Sequence, residues 1–385
     1  MVKSRRERGE KAFCRRHMDA WHSAPKKDCE YGLHQDKEEK TMIRDCKQPL
    51  YNLSMPPRKT LVKKGTIEID GCETNMVEWK GRLLRFKWMR PDYMRAITRG
   101  HGDGYFCFTD METDEDTPAF AHGFQFGSAY VEEVDGVETA YVYGTLDNLS
   151  LYLFRSTDLE TWYRQKIVDF PKGWPYWNSS VCKGPDGYVM AAEVIGPTKD
   201  IEPVDEYGMH QCLFFLKSDD LVNWTFMDID KHCFTRERYS ACPVIRYCED
   251  DGFYYIIYLG QLPYWCYQPY IVRTKDFEEW EMGTVNPVFM SSEEDKLIGI
   301  PGKFTEEEKE HIRFAHNINN SDVDVCEFKG KTYILYSWGN QLGIEFVAQA
   351  EYDGSMNEFL MSFYPCTDEE KLRKLKAEDR KNREG

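Results

Sequence analysis

Short apolar stretches alternate with turn residues along most of the chain, and one such unit recurs five times. Each unit is an apolar run, a turn that carries Gly, and a second apolar run. The five units cover residues 76–88, 129–144, 180–194, 243–260 and 323–339. Alternation of apolar and polar residues on both sides of a turn is typical of a β-hairpin. The pattern therefore predicts five hairpins.

A second repeat, Ser/Thr-x-Asp-Leu/Phe-x-x-Trp, follows three short β-rich runs. It occurs as Ser156-Asp158-Leu159-Trp162, as Ser218-Asp220-Leu221-Trp224 and as Thr274-Asp276-Phe277-Trp280, at spacings of 62 and 56 residues. The hydroxyl and carboxyl groups can close a turn by accepting hydrogen bonds from nearby backbone N–H groups. The Trp can bury a large apolar face between neighbouring sheets. We interpret this turn motif as structural and expect no chemistry from it.

The two repeats together predict an all-β fold, a five-bladed β-propeller of four-stranded antiparallel blades. A repeat of about 40 to 60 residues is typical of propellers, whose radial arrangement protects strand edges. We expect the propeller to cover residues 56–365. Residues 1–55 match no blade, and we expect an irregular or helical N-terminal extension that can mediate a homodimer. Residues 366–385 are expected to form a charged tail, and a helical pattern is visible within it.

Composition narrows the class of protein. The 385 residues are 41% hydrophobic and 15% aromatic, which is ample for a large core. The apolar runs are strand-sized and the first forty residues lack a signal-peptide pattern, so we expect a cytoplasmic protein that does not bind membranes. Thirteen cysteines without a CxxC pair indicate reduced thiols rather than zinc or disulfides. A net charge of -16 disfavours binding to nucleic acid.

The blade length, the turn motif and the hairpin ACPVIRY…DDGFYYIIYLG resemble the five-bladed propeller glycosidases. These are glycoside hydrolase families 32, 43, 68 and 117 and the family 130 phosphorylases, and the resemblance covers residues 60–352. It implies a carbohydrate ligand in a funnel on the propeller axis. It also implies a hydrolase that cleaves a small or oligosaccharide glycoside with inversion and requires no cofactor. A family 130-like phosphorylase and a non-catalytic sugar-binding propeller are the alternatives.

The same resemblance implies candidate catalytic residues, because the innermost strand of each blade starts at the funnel mouth in these families. Glu73 takes the position of the general base, although the family usually shows Asp-Pro there. Either Glu193 or His316 takes the part of the general acid. Asp322 is expected to modulate a pKa or to position the sugar, and we expect Asp322, rather than Asp324, to point into the funnel.

A larger set of residues is expected to bind the sugar at or near the mouth, with a structural role as the alternative. The set is Asn75, Ser128, Asp147, Trp177, Asn178, Ser240, Asn320, Asn340 and Gln341. Oxygen atoms of Asn320, Asp322 and Asp324 are also compatible with a structural calcium ion, since calcium prefers oxygen ligands.

Overall fold

Five antiparallel sheets make up the fold, and each is built around one of the predicted hairpins. The computed structural model describes residues 61–365, except 70, 72, 91–103, 198–208, 236–237, 264–265 and 341–344, and it also describes residues 369–384. The innermost strands of successive sheets contact each other and close into a ring. The prediction of an all-β five-bladed propeller is confirmed. The predicted extension, residues 1–55, and the dimer contact assigned to it lie outside the described residues.

The ring is closed by the first described strand, β1 (Leu61–Ile69), which belongs to the last blade rather than the first. The next three strands form blade one, and they are β2 (Thr74–Trp79), β3 (Arg82–Met89) and β4 (Tyr105–Asp110). Blade two consists of β5 (Gln125–Val134), β6 (Val137–Thr145), β7 (Ser150–Ser156) and β8 (Tyr163–Asp169). Each blade therefore runs from its innermost strand outwards in sequence order.

The remaining blades follow the same order. Blade three consists of β9 (Tyr176–Gly184), β10 (Gly187–Pro197), β11 (Met209–Ser218), β12 (Thr225–Phe226) and β13 (Cys233–Phe234), and both short strands pair with β11. Blade four consists of β14 (Ala241–Cys248), β15 (Phe253–Leu262), β16 (Cys266–Thr274) and β17 (Glu281–Met282). Blade five consists of β18 (Asn319–Phe328), β19 (Lys331–Gly339), β20 (Glu345–Tyr352) and β1. The pairing of β1 with β20 joins the two ends of the propeller.

Two-residue turns connect the inner strands in blades one, two and five. The turn in blade one is Lys80-Gly81, in blade two Asp135-Gly136 and in blade five Lys329-Gly330, and both residues of each turn have positive φ. Positive φ at both central residues is the type I′ geometry, whose twist matches that of the flanking strands. The turns therefore fix the register of these hairpins, and with it the residue that each innermost strand presents at its start.

The turn motif has the predicted structural role. In the first copy the Oγ atom of Ser156 accepts the N–H of Leu159 at 2.8 Å, and the Oδ1 atom of Asp158 accepts the N–H groups of residues 160 and 161 at 2.9 and 2.8 Å. The Trp162 ring then stacks on Phe120, which follows the last strand of blade one, with ring centroids 3.8 Å apart. The motif thus closes a turn in one blade and packs it against the preceding blade.

Short helices interrupt the β structure near the last two blades. A 3₁₀ helix spans Glu293–Lys296, α1 spans Glu306–Phe314, α2 spans Met356–Met361, and α3 in the charged tail spans Glu369–Glu384. Both α1 and α2 begin with a capping box, in which a Ser or Thr and the Glu three residues later satisfy each other's backbone N–H groups. No helix in the described part of the chain has the length and apolar character needed to cross a membrane.

Candidate functional site

A cavity of about 380 Å³ lies on the propeller axis, and the innermost strands of all five blades form its wall. Five residues of this wall stand the same number of positions before the end of their innermost strand. They are Glu73, Ser128, Asn178, Cys242 and Asp322, and we call this set the funnel mouth. One residue from each blade therefore meets the others at one end of the axial cavity.

Backbone irregularities accompany the funnel mouth. Glu73, Cys242 and Asp322 have φ values of 52°, 46° and 46°, and the strand pairing shifts register beside Cys242 and Asp322. In blade three the pairing shifts opposite Glu193 instead. Positive φ at a residue other than Gly costs roughly 1 to 3 kcal/mol and is concentrated at functional sites. Bulges of this kind re-aim side chains, which is why these residues leave the regular alternation of their strands.

Glu193 comes from the second strand of blade three, is 3% exposed and is not itself part of the cavity wall, but it contacts the wall residues Asn178 and Cys242. Its Oε2 atom accepts a hydrogen bond from the backbone N–H of Cys242 at 2.8 Å and another from the Nδ2 of Asn178 at 3.0 Å. Burial raises the pKa of Glu193 from 4.5 to about 7, although the two donors act in the opposite direction. The charge of Asp322 raises it further. The carboxyl group can therefore change its protonation state near neutral pH.

Glu73 stands just before the innermost strand of blade one and is half-buried. Its Oε2 atom is shielded from solvent and has no hydrogen-bond partner among the described residues. Burial raises the pKa of Glu73 well above its ordinary value, the charge of Arg90 lowers it, and the charges of Asp322 and Glu193 raise it. Desolvation and like charges both disfavour the ionised form, so this carboxyl holds its proton more strongly than a surface glutamate does.

Asp322 and Asp324 both line the cavity, whereas the sequence predicted only Asp322 to point into the funnel. The strand pairing shifts register between Ser321 and Asp324 and Asp322 has a positive φ, so the alternation of a regular strand does not decide where these two side chains point. Asp322 accepts a hydrogen bond from the hydroxyl of Ser321 at 2.7 Å. Asp324 instead pairs with Arg246, with 2.6 Å between Oδ1 and Nη2. Sequence reasoning missed Arg246, although an arginine inside an apolar inner strand was a visible signal.

The expected sugar ligands Asn75, Ser128 and Asn178 are all in the cavity wall, and each also links two blades. Asn75 exchanges two hydrogen bonds with the backbone of Ala129, at 2.9 and 3.1 Å. The hydroxyl of Ser128 lies 2.7 Å from that of Ser179. Asn178 reaches Glu193 and, at 3.7 Å, the sulfur of Cys242. These side chains therefore stabilise the blade interfaces, whether or not they also contact a sugar.

Other predicted residues lie outside the cavity wall in the described structure. His316 is exposed in the segment after α1. Asp147 is exposed and caps its own turn by accepting the N–H groups of residues 149 and 150 at 2.9 and 3.0 Å. Trp177 is half-buried and packs on Phe126, with ring centroids 4.6 Å apart. The structure therefore does not bring these three side chains together with Glu73.

Ser240, Asn320 and Asn340 also lie outside the wall, and Gln341 lies outside the described residues. Ser240 is completely buried. The Oδ1 atom of Asn320 accepts a hydrogen bond from the Nζ of Lys63 at 3.1 Å. Because Asn320 and Asp324 already contact protein cations, their positions give no support to the calcium ion suggested by the sequence. Within the described ranges, no three His, Cys, Asp or Glu side chains converge in a way that could hold a metal ion.

Comparison with known proteins assigns no family and no function to the chain. No family model matches the chain, and no curated protein does. A solved structure described as a glycoside hydrolase is 12% identical, covers 77% of this chain and 93% of its own, and has a TM-score of 0.49. A thermostable family-43 glycoside hydrolase is 13% identical over 76% of this chain and 95% of its own, with a TM-score of 0.49. A glycosyl hydrolase from Bacteroides ovatus is 13% identical over 73% of this chain and 84% of its own, with a TM-score of 0.47.

Proposed function

We propose that the funnel mouth is the active site of an enzyme that cleaves a glycosidic bond by carboxylic acid and base catalysis. This reaction needs one carboxyl that donates a proton to the leaving oxygen and one carboxylate that activates water or attacks the sugar. The observation that carries the proposal is the placement of two desolvated carboxyls from different blades, because Glu73 lines the funnel mouth and Glu193 is hydrogen-bonded to the mouth residues Asn178 and Cys242. Such pairs with separate environments are characteristic of acid and base assignments in active sites.

The two environments favour roles opposite to those expected from the sequence. Glu193 accepts two hydrogen bonds on one oxygen, and donors of this kind stabilise the ionised form. Glu73 has a shielded oxygen without a described donor, so it is better suited to remain protonated. We therefore assign Glu73 as the proton donor and Glu193 as the base. Asp322 contributes negative charge that holds the proton on Glu73.

We further propose that water is the acceptor and that the substrate is a small or oligosaccharide glycoside. The retaining or inverting outcome depends on the separation of the two carboxyls, about 5 Å for retention and about 6.5 to 9.5 Å for inversion. We keep inversion as the expectation, and the anomeric configuration of the first product, followed by proton NMR, tests it. Phosphorolysis needs several cationic side chains that converge on phosphate, and the sequence offers Arg90, Arg95, Arg99 and His101 before blade two. Of these, Arg95, Arg99 and His101 lie outside the described residues.

The experiment that tests the function is product release from a panel of oligosaccharides and aryl glycosides, with and without phosphate. Wild type is compared with Glu73→Gln and Glu193→Gln, which keep the side-chain volume and remove the carboxyl. Glu133→Gln is the control, because it makes the same substitution at an exposed glutamate near the hairpin turn of blade two. We expect phosphate-independent release that falls by about a factor of 100 or more in Glu73→Gln and in Glu193→Gln and not in the control.

Three other outcomes would change the conclusion. Release that requires phosphate would indicate a phosphorylase. Saturable sugar binding without any release would indicate a non-catalytic propeller. Release that survives both substitutions would remove the carboxyl pair from the mechanism and leave the activity to another site.

A further inference from the structure

Below the funnel mouth, one ion pair connects the innermost strands of several blades. Arg246 of blade four is largely buried and lines the axial cavity together with Asp324 of blade five. All five N–H groups of the guanidinium have acceptors. These are Asp324 Oδ1 at 2.6 Å, Val325 O at 2.7 and 3.2 Å, Ile245 O at 2.8 Å and Ser180 Oγ at 3.2 Å. Arginine has five such donors, so none of them is left for a ligand.

The carboxylate of the pair extends the connection to blade one. The Oδ2 atom of Asp324 accepts the backbone N–H of Met76 at 2.6 Å. Met76 lies on the innermost strand of blade one, three residues after Glu73, which stands just before that strand. An innermost strand presents one unpaired edge to the axis, and unpaired backbone groups in a buried place are costly. The ion pair satisfies such groups on three strands at once.

The strands that the pair connects are those that carry the mouth residues. Asp324 lies two residues after Asp322, and Arg246 lies four residues after Cys242, whose N–H holds Glu193. We propose that Arg246 and Asp324 are positioning residues that hold Glu73, Glu193 and Asp322 at fixed distances from one another. The catalytic meaning of this inference rests on the proposed function, whereas the positioning itself does not.

The consequence that can be measured is the titration of Glu193. Several titratable groups from different elements interact electrostatically with Glu193. They are Asp322, Glu73, Cys242, Tyr176 and Tyr239. If β14 shifts when the ion pair is weakened, the hydrogen bond from the Cys242 N–H lengthens. Loss of a donor to the ionised form raises the pKa of a carboxyl. Weakening the pair should therefore move the titration of Glu193 to higher pH.

The test uses Arg246→Lys, which keeps the charge but loses two donors, and Asp324→Asn as a second variant in case the first does not fold. Arg273→Lys is the matched control, because Arg273 also pairs with a partly buried aspartate, Asp251, at 3.2 Å, in an outer part of blade four. The side-chain carboxyl of Glu193 is followed by carbon NMR on protein labelled at glutamate, and Glu193→Gln assigns the signal. Activity on any substrate found is measured in parallel.

We expect the Glu193 titration to move up by about half a unit or more in Arg246→Lys or Asp324→Asn, and to stay unchanged in Arg273→Lys. We also expect kcat to fall about tenfold or more while KM changes little, since geometry rather than substrate binding is lost. An unchanged titration in both pair variants would overturn the inference. If no glycoside is cleaved by wild type, the proposed function fails, but the NMR titration still decides whether the pair positions the mouth.

Discussion

The Oε2 atom of Glu193 lies 2.8 Å from the backbone nitrogen of Cys242, so a carboxyl of blade three is held by the bulged start of blade four. The bulge turns an N–H group that a regular strand would direct along its own edge towards a neighbouring blade. A hydrogen bond from a backbone amide stabilises a carboxylate, and burial opposes it. The pKa of about 7 is the balance of these two effects.

This balance gives a stability prediction with a definite sign. Glu193 titrates near 4.5 when unfolded and near 7 when folded, so the native state binds more protons between these values. The free energy of unfolding should therefore fall as the pH rises from about 4.5 to 7, by roughly 3 kcal/mol at most. Glu193→Gln should remove this loss, so its stability relative to wild type should be greater at pH 7.5 than at pH 5. Urea unfolding of both proteins at pH 5 and pH 7.5 measures the difference.

The comparison between the two pH values is decisive because other effects of the substitution are present at both. Glu193→Asp is unsuitable as a control, since an aspartate also titrates. Glu133→Gln is the control, because it makes the same substitution at an exposed glutamate. A stability difference between wild type and Glu193→Gln that is the same at pH 5 and pH 7.5 would contradict the raised pKa.

Local signals in the sequence predicted most of the fold. The hairpins depend on turns such as Lys80-Gly81 and on alternation within a few residues, and the turn motif closes hydrogen bonds over three positions. The place of the closing strand β1 was harder to predict, because this strand pairs with one that is distant in sequence, as Leu61 does with Tyr352. The cap of α1 was visible as Thr305-x-x-Glu308 and could have indicated this helix.

The site was predictable only as far as counting from turns allows. When the five hairpins are aligned on their turns, Glu73, Ser128, Asn178 and Asp322 fall at one level, and all four line the cavity. It could not show that Arg246 reaches across blades, since that contact depends on how the blades are packed. His316 was chosen by resemblance in role alone, with no register to fix its place.

The turn motif predicts a second effect on stability. Asp220 accepts the N–H groups of Val222 and Asn223 at 2.9 and 2.7 Å, and these bonds lower its pKa to about 2. Asp220→Ala should lower the free energy of unfolding by about 1 kcal/mol near pH 7, the net contribution expected of such hydrogen bonds. The loss should shrink as the pH falls from about 4 towards 2, because the protonated carboxyl is a poorer acceptor.

Asp219 is the control for this prediction, since it is also exposed and has no described side-chain hydrogen bond. Thermal unfolding of Asp220→Ala and Asp219→Ala at pH 7 and pH 3 separates the turn from general charge effects. Equal losses in the two variants would count against the structural role of the motif.

The closure of the ring predicts a larger effect at Lys63. Its Nζ atom lies 2.6 Å from Asp295, and neither side chain is exposed. Lys63→Met removes the cation and leaves Asp295 buried without its main counter-ion, which typically costs about 3 to 5 kcal/mol. Lys64→Met, next to it and 42% exposed at the side chain, should cost less than about 1 kcal/mol. Urea unfolding compares the two, and a similar small loss in both would show that this pair does not hold β1 in place.

The last prediction separates the two assignments of acid and base. Asn178 donates to Glu193 at 3.0 Å and lowers its pKa, so Asn178→Ala should raise that pKa by about one unit. If Glu193 is the base, the acidic limb of the kcat/KM profile moves to higher pH, because the enzyme needs Glu193 ionised. If Glu193 is the acid, the alkaline limb moves to higher pH instead. Asn75→Ala, which loses an amide bonded to Ala129 rather than to Glu193, should move neither limb, and a profile of unchanged shape in Asn178→Ala would exclude Glu193 from both roles.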